Sequence, residues 1–364
     1  MSNYARIAGT SDFDLNLVPR NLQLKIVSLA LLADFAYAQV ANQFTEISIS
    51  NGRSPIEAVF LIRARENNQK VNVIERGSTT KKWFVYKTSP HYSSDWWQML
   101  RESASKSNRL EFKLLSTDYW RIRLEGWDEL SGRDWRKEFE TGKVPPRVDN
   151  NSVVFFCTSQ HEVPVVKEFE SSNLGFRSQQ LAVRELADLC KKLGRHLVIK
   201  RHPNSLGLRG VDRESPDWEW LKSLNDVTYL EADSKVDTNA LIRRAGAVLT
   251  YRSSVGVEAS AMRFPARAMG PAEWAYCEEA RVWDRQSLES FLRKPVVLDP
   301  IIHESWGFLA STFGAKLECF SDITGGYAVT SEGIKIYSAD HYDQSLRKLF
   351  LRMSNKIWSM RPRS

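Results

Sequence analysis

Between Val153 and Leu292 the chain alternates short, wholly apolar stretches with longer segments of helical periodicity, and this alternation limits the fold more than any other feature. Val153–Cys157, His196–Lys200, Val227–Leu230, Ala247–Tyr251 and Ala266–Met269 read as strands. Arg177–Leu193, Trp218–Leu224, Asp237–Ala245, Val255–Met262 and Arg285–Leu292 read as helices. A strand with apolar residues on both faces is buried on both faces, as in parallel sheets covered by helices. Strands separated by helices of this length predict a doubly wound parallel sheet with right-handed crossovers. Ligands of such sheets sit beyond the carboxyl ends of the strands, so the residues following each strand are the first place to look for chemistry.

Two of those ends carry polar clusters. His196–Lys200 runs into Arg201-His202-Pro203, where two basic side chains precede a proline that fixes the loop. His202 can donate to a phosphate oxygen or protonate a leaving phosphate, and Arg201 adds a second cation. Ala247–Tyr251 runs into Arg252-Ser253-Ser254-Val255-Gly256 and a helix carrying Glu258. The hydroxyls of Ser253 and Ser254, with the free N–H groups of the first helical turn, suit an anion. Gly256 would let a ligand approach the backbone, and Glu258 could accept from ribose hydroxyls. The same residues also suit a plain helix start, with serines as caps and Glu258 as a first-turn charge. After Val153–Cys157 come Ser159-Gln160-His161-Glu162, which could contact a base, a sugar or the phosphate across a cleft, or form a plain solvated loop.

The first half repeats the theme. Leu22–Asn42 has helical spacing. Glu46–Ser50 alternates as a strand and ends in Asn51-Gly52-Arg53. A helix opens at Ser54-Pro55 and runs to about Asn68, and Lys70–Ile74 is a strand ending in Glu75-Arg76-Gly77. Trp83–Tyr86 is a further short strand, and Trp96–Ser103 and Asp118–Glu129 read as helices. Glu75 is a candidate general base for a sugar hydroxyl; His91 and Asp95 compete for that role, and an Arg53–Glu75 ion pair is the plainer alternative. Lys143–Asn151, with two prolines and two asparagines, reads as a linker. The expected division is residues 1–145, 146–300 and a C-terminal extension 301–364 that crosses back to the first unit. Its last stretch, Tyr342–Trp358, is basic and helical, suited to packing on that unit or to resting on anionic lipid.

The chain has 364 residues and a formal net charge of +7, which suits an anionic ligand or an acidic membrane surface. Its four cysteines, Cys157, Cys190, Cys277 and Cys319, form no close pair and fit free thiols in a reducing compartment. No signal-peptide pattern and no run long enough to span a bilayer occur, so the expected location is cytoplasmic, with room for contact at the inner face of a membrane. The 12 tryptophans fit either core packing or a protein that handles sugars. No phosphate-binding GxxxxGK[ST] or GxGxxG motif, no zinc-ligand spacing and no GxSxG elbow is present. These absences favour chemistry that relies on cations and helix dipoles, with no metal and no cofactor.

Four segments, EISISNGRSPIEAVFLIRARENNQKVNVIERG (Glu46–Gly77), VVFFCTSQHEV (Val153–Val163), LVIKRHPN (Leu197–Asn204) and LTYRSSVGVEASAMRFPA (Leu249–Ala266), together resemble the capsule polysaccharide biosynthesis glycosyltransferases, a group that includes bacterial Kdo transferases. The resemblance spans roughly Glu46–Pro271 in family order and departs from the pattern at His161-Glu162, where an acidic pair is expected. It implies the GT-B fold, two Rossmann-like α/β domains with doubly wound parallel sheets facing across a cleft, with the acceptor on the N-terminal side and a nucleotide-sugar donor on the C-terminal side. His202-Pro203 and Ser253-Ser254 fall on the positions that bind the donor's nucleotide phosphate; Asn51, Arg53 and Glu75 fall on the acceptor side. The implied partners are a nucleotide-sugar donor of the CMP-Kdo kind and a polysaccharide or glycolipid acceptor. A nucleotide-sugar epimerase of the same shape and a non-catalytic binder of anionic glycan or nucleic acid are the rival readings, and no nucleic-acid-binding module is present.

Overall fold

The computed structural model describes residues 20–41, 46–50, 55–76, 82–86, 93–125, 127–128, 133–134, 139–159, 176–206, 218–312, 315–318, 327–330 and 335–337. The N-terminal unit comprises α1 (Arg20–Val40), β1 (Glu46–Ser50), α2 (Pro55–Glu66), β2 (Lys70–Arg76), β3 (Lys82–Tyr86), α3 (Ser93–Ala104), α4 (Leu110–Leu124) and a small ribbon of β4 (Trp127–Asp128) and β5 (Arg133–Asp134). The second unit runs β6 (Val153–Phe156), α5 (Gln179–Lys192), β7 (Leu197–Lys200), α6 (Glu219–Lys222), β8 (Val227–Leu230), α7 (Thr238–Arg244), β9 (Ala247–Thr250), α8 (Val255–Ala261), β10 (Ala266–Ala268) and α9 (Arg285–Arg293). The chain then forms α10 (Pro300–Thr312), β11 (Ala315–Glu318), β12 (Tyr327–Thr330) and β13 (Lys335–Tyr337).

The second unit is the doubly wound α/β fold that its alternation predicts. Its five strands lie in the order β10-β9-β6-β7-β8, and every neighbouring pair is parallel. Every residue of β6, β7 and β9 is buried, as a strand covered on both faces must be. One face packs Phe155, Ile199 and Leu249 against α5 and α9. The other packs Val154, Val198 and Val248 against α7. Local chemistry fixes the helix ends. Ser178 caps α5 by accepting from the Leu181 N–H at 3.2 Å, and Gly194 ends it with φ +63°. Asp284 and Ser287 form a reciprocal cap at the start of α9.

The N-terminal sheet is mixed. Its order is β1-β2-β3-β11-β12-β13. Only β1 and β2 pair in parallel, and the remaining pairs are antiparallel. The reason is connection length. α2 bridges β1 and β2, whereas the link from Arg76 to Lys82 is too short for the crossover a parallel neighbour needs. The two-unit α/β reading holds, with full parallel pairing confined to the second unit.

The chain returns to the N-terminal unit after α9. α10 packs on α3, α4 and α8, and β11 pairs with β3. The Trp120 indole donates to the His303 carbonyl at 2.6 Å, and Trp96 stacks on Trp306 with ring centroids 5.0 Å apart. Gly307 sits at the crossing of α10 and α4, where a Cβ would come within 2.8 Å of Ser116 Oγ and Trp120 Nε1. One core cluster accordingly joins Leu61, Val73 and Leu100 to Val257, Trp274 and Ile302. No helix among the described residues is long and apolar enough to cross a membrane. Tyr342–Trp358 lies outside the described residues.

Candidate functional site

In the order β10-β9-β6-β7-β8 the chain builds outward from β6 to β8, then returns to the other side of β6 for β9 and β10. The winding therefore reverses between β6 and β9. A crevice opens at the carboxyl ends of the strands beside such a reversal. A cavity of about 330 Å³ lies there. Phe156 and Cys157 form its floor. Lys200, His202 and Pro203 come from the end of β7, and Ser253 and Ser254 from the end of β9. The opposite wall consists of Arg123–Glu125 at the end of α4, with Phe139 and Thr141, while Asp237, Asn239 and Arg243 of α7 close one side. The cavity thus has walls from both units.

The strand ends are held in register. The Thr158 N–H donates to Gln179 Oε1 at 2.6 Å, and Gln179 Nε2 donates back to the Thr158 carbonyl at 3.1 Å. Thr158 Oγ1 accepts from the Arg252 N–H at 2.9 Å, tying the end of β6 to the end of β9. Ser253 then accepts from the Val255 N–H at 3.3 Å, and its carbonyl accepts from the Trp274 indole at 3.0 Å. Arg252 turns away and pairs with Glu273 at 3.0 Å.

The cation facing the cavity from β7 is Lys200. Successive strand residues point to opposite faces, so Lys200 follows Val198 and Arg201 follows Ile199. The Arg201 guanidinium donates to Tyr229 Oη at 2.9 Å and lies over the Trp218 ring on the other face. This corrects the expectation that Arg201 and His202 aim at one point. Lys200 is only 4% exposed. Its ammonium lies 5.0 Å from the centre of the Phe139 ring, and among the described residues no carboxylate reaches it at ion-pair distance. Burial pulls its pKa down to about 8, against the weaker opposing pull of Cys157 and Asp237.

Two of the cavity's carboxylates, Asp237 and Glu258, are otherwise engaged. Asp237 caps α7 by accepting from the Ala240 N–H at 3.1 Å, and accepts from the Gly142 N–H at 2.9 Å. Glu258 accepts from Arg123 Nε at 3.2 Å and Nη2 at 2.8 Å. That pair bridges the two units, as does the bond from Asn239 Nδ2 to the Leu124 carbonyl at 3.2 Å. The arrangement leaves a buried, positively charged wall of Lys200 flanked by the hydroxyls of Ser253 and Ser254 and by His202.

Of the residues singled out in the sequence, His202, Ser253, Ser254 and Glu258 line this cavity, and Arg201 borders it while its guanidinium turns away to Tyr229. Ser159 is fully buried and is not part of the lining. Gly256 faces Trp274, whose indole a Cβ would overlap, so close packing and not ligand approach requires glycine there. Asn51, Arg53 and His91 lie outside the described residues, as do His161 and Glu162. Glu75 is described only as part of β2, opposite Phe84. Lys200, Arg123 and Phe139 were not singled out. A lysine closing an otherwise apolar strand was a legible signal; Arg123 lies 135 residues from Glu258, and nothing local pairs them.

No family model matches this chain, and no curated protein sequence matches it. Solved structures similar to it include KpsC of Thermosulfurimonas dismutans, described as a beta Kdo 2,4 transferase, at 12% identity and TM-score 0.49, covering 75% of this chain and 82% of that one. UDP-GlcNAc 2-epimerase from Neisseria meningitidis bound to UDP-GlcNAc is similar at 15% identity and TM-score 0.37, covering 82% and 83%. UDP-GlcNAc 2-epimerase from Methanocaldococcus jannaschii, in complex with UDP-GlcNAc and UDP, follows at 10% identity and TM-score 0.32, covering 77% and 78%. At these values no residue of theirs is matched to one here, and the roles below come from this chain's own side chains.

Proposed function

We propose that this chain is a glycosyltransferase that holds a nucleotide-activated sugar by its phosphate in the cavity at the ends of β6, β7 and β9. The observation that supports this most is Lys200, a buried cation facing a cavity with no carboxylate partner among the described residues. A phosphate supplies the missing negative charge, and His202, Ser253 and Ser254 stand beside it to donate hydrogen bonds. As the bond from sugar to phosphate breaks, charge collects on the leaving phosphate. Donors already in place stabilise that charge more in the transition state than in the ground state. In this reading His202 can also protonate the leaving group. Charge neutralisation falls to side chains and needs no metal. Arg123, Glu258 and Asn239 hold the two walls together around the donor and keep water out of the transfer.

The acceptor's hydroxyl must lose a proton to a base on the N-terminal side. Glu75 is our candidate, with Asn51, Arg53 and His91 binding the acceptor. Residues 1–145 would then serve the acceptor, 146–300 the donor, and 301–364 the tie between them. A CMP-Kdo-like donor and a polysaccharide or glycolipid acceptor, met at the inner face of a membrane, follow from the family resemblance described above. The test is product analysis with CMP-Kdo and UDP-, GDP- and dTDP-sugars, each with and without an oligosaccharide acceptor. Transfer predicts nucleotide release that the acceptor accelerates and a lengthened acceptor. Conversion of one nucleotide sugar into its epimer, with no acceptor dependence, would instead make the protein an epimerase.

A further inference from the structure

α4 carries the cavity at one end and an unusual surface at the other. Its last turn supplies Arg123 to the cavity wall. At its start, Leu110 is 72% exposed and Leu114 is 61% exposed. One turn apart, they form a single apolar ridge. Lys106 and Arg109 in the preceding turn, and Lys113 on the same helix, are all exposed, and among the described residues none of the three is in an ion pair. Glu111 is the carboxylate at the flank of this ridge, while Asp118 farther along the helix is paired with Arg121. The opposite side of the same helix is packed: Phe112 is fully buried against Phe308. The helix is therefore anchored by one face and presents leucines on the other beside cations that no described carboxylate pairs, with the Lys106 ammonium at the margin of the packed face, 6.0 Å from the centre of the Phe308 ring.

We propose that this end of α4 is a membrane-contact surface, in which Leu110 and Leu114 enter the headgroup layer of an anionic bilayer and Lys106, Arg109 and Lys113 meet its phosphates. The charge pattern decides the occupant. A protein partner that buries two leucines needs no ring of like charge, whereas an anionic surface attracts each cation and receives apolar side chains at the same depth. The helix also sets the distance to the chemistry. From Leu110 to Arg123 is 13 residues, or about 20 Å at the rise of an α-helix, so a bilayer touching the ridge lies within reach of a lipid-borne acceptor entering the cavity. The contact itself needs no nucleotide, so it stands or falls apart from the transfer reading.

The experiment is co-sedimentation of the full chain with vesicles of phosphatidylcholine alone, and of phosphatidylcholine with one third phosphatidylglycerol, at low and physiological salt. The wild type is expected to bind the anionic vesicles, more weakly at higher salt, and to leave the neutral ones. The triple variant Lys106→Gln, Arg109→Gln, Lys113→Gln should bind the anionic vesicles about a hundredfold more weakly, given roughly 1 kcal/mol per cation at such a surface. Leu110→Ser with Leu114→Ser should weaken binding while keeping its salt dependence. All five side chains are exposed, and an unchanged near-ultraviolet circular dichroism spectrum checks that the variants fold. Wild-type protein that ignores anionic vesicles would overturn the proposal, as would binding unchanged in both variants. Self-association that the leucine variant abolishes, with no vesicle binding, would assign the ridge to a protein partner. Vesicle binding lost only on changing the exposed Leu31 and Phe35 of α1 would move the contact to that helix.

Discussion

A lysine held at 4% exposure costs the fold free energy as long as it stays charged and unpaired. With its pKa lowered from 10.5 to about 8, the cost at neutral pH is about 3 kcal/mol. The sign follows from the two values. Below about pH 8 the lysine is charged in both folded and unfolded chains, and the full cost applies. Between about 8 and 10.5 the folded lysine has released its proton while the unfolded one has not, so stability from this group rises with pH. Lys200→Met should therefore be more stable than wild type at pH 7, by up to about 3 kcal/mol, with the difference shrinking toward pH 10; urea unfolding at several pH values measures it. The same substitution should weaken nucleotide binding about ten- to a hundredfold, as expected for loss of a charge-assisted hydrogen bond. A phosphate beside Lys200 raises its pKa again, so binding above pH 8 should take up a proton, visible as a dependence of binding enthalpy on buffer ionisation. His202 was legible because a proline follows it. Lys200 hid in plain sight as the last letter of an apolar strand.

At the scale of elements, the sequence was most legible where period and caps agree. Val227–Leu230 was placed to the residue, and α5, α7 and α9 within two residues at either end. Where a helix is apolar all round or its apolar face is exposed, the period fails. α10 carries IIHESWGFLAST with Gly307 in its middle and buries seven residues, so it shows no polar face to mark it. α4 begins eight residues before its expected start because Leu110 and Leu114 point to solvent and break the apolar stripe. Gly256 shows the same limit in a single residue, since the Trp274 it accommodates is 18 positions away. Gly256→Ala should destabilise the protein by about 1–3 kcal/mol through overpacking, as a lowered Tm. The nucleotide affinity of the folded variant should change little, because the substituted face is turned to Trp274. Arg123→Ala strips Glu258 of its partner; the pair is largely shielded from water, and about 1–2 kcal/mol of stability should go with it. A double-mutant cycle with Glu258→Gln should recover most of that loss as coupling.

For the whole molecule, the two sheets are joined by more than a linker. α10 and β11 bring the chain back to the first unit, and α8, α10 and α4 share one core. His303 sits in that joint, 7% exposed, with its pKa pulled down to about 4, chiefly by burial. Its folded pKa is below the ordinary 6.5, so acid favours the unfolded chain. Stability should fall as pH drops from about 6.5 to 4, and His303→Gln should flatten that slope in acid unfolding curves. Two units and a site at strand ends were legible because alternation and strand-end chemistry are local. The wall supplied by α4 was not, because Arg123 and Glu258 lie 135 positions apart, and the antiparallel turn into β3 was not, because Trp83–Tyr86 read only as a further short strand.

Binding of a nucleotide phosphate by Lys200 and His202 in the crevice between β6 and β9 can be read from thermal unfolding of the wild type, Lys200→Met and His202→Ala with CMP, UDP, GDP and dTDP. At least one nucleotide should raise the Tm of the wild type by several degrees at saturating concentration, and both variants should lose most of that rise while remaining folded. A wild type that no nucleotide stabilises, or variants that respond as fully as the wild type, would contradict this binding.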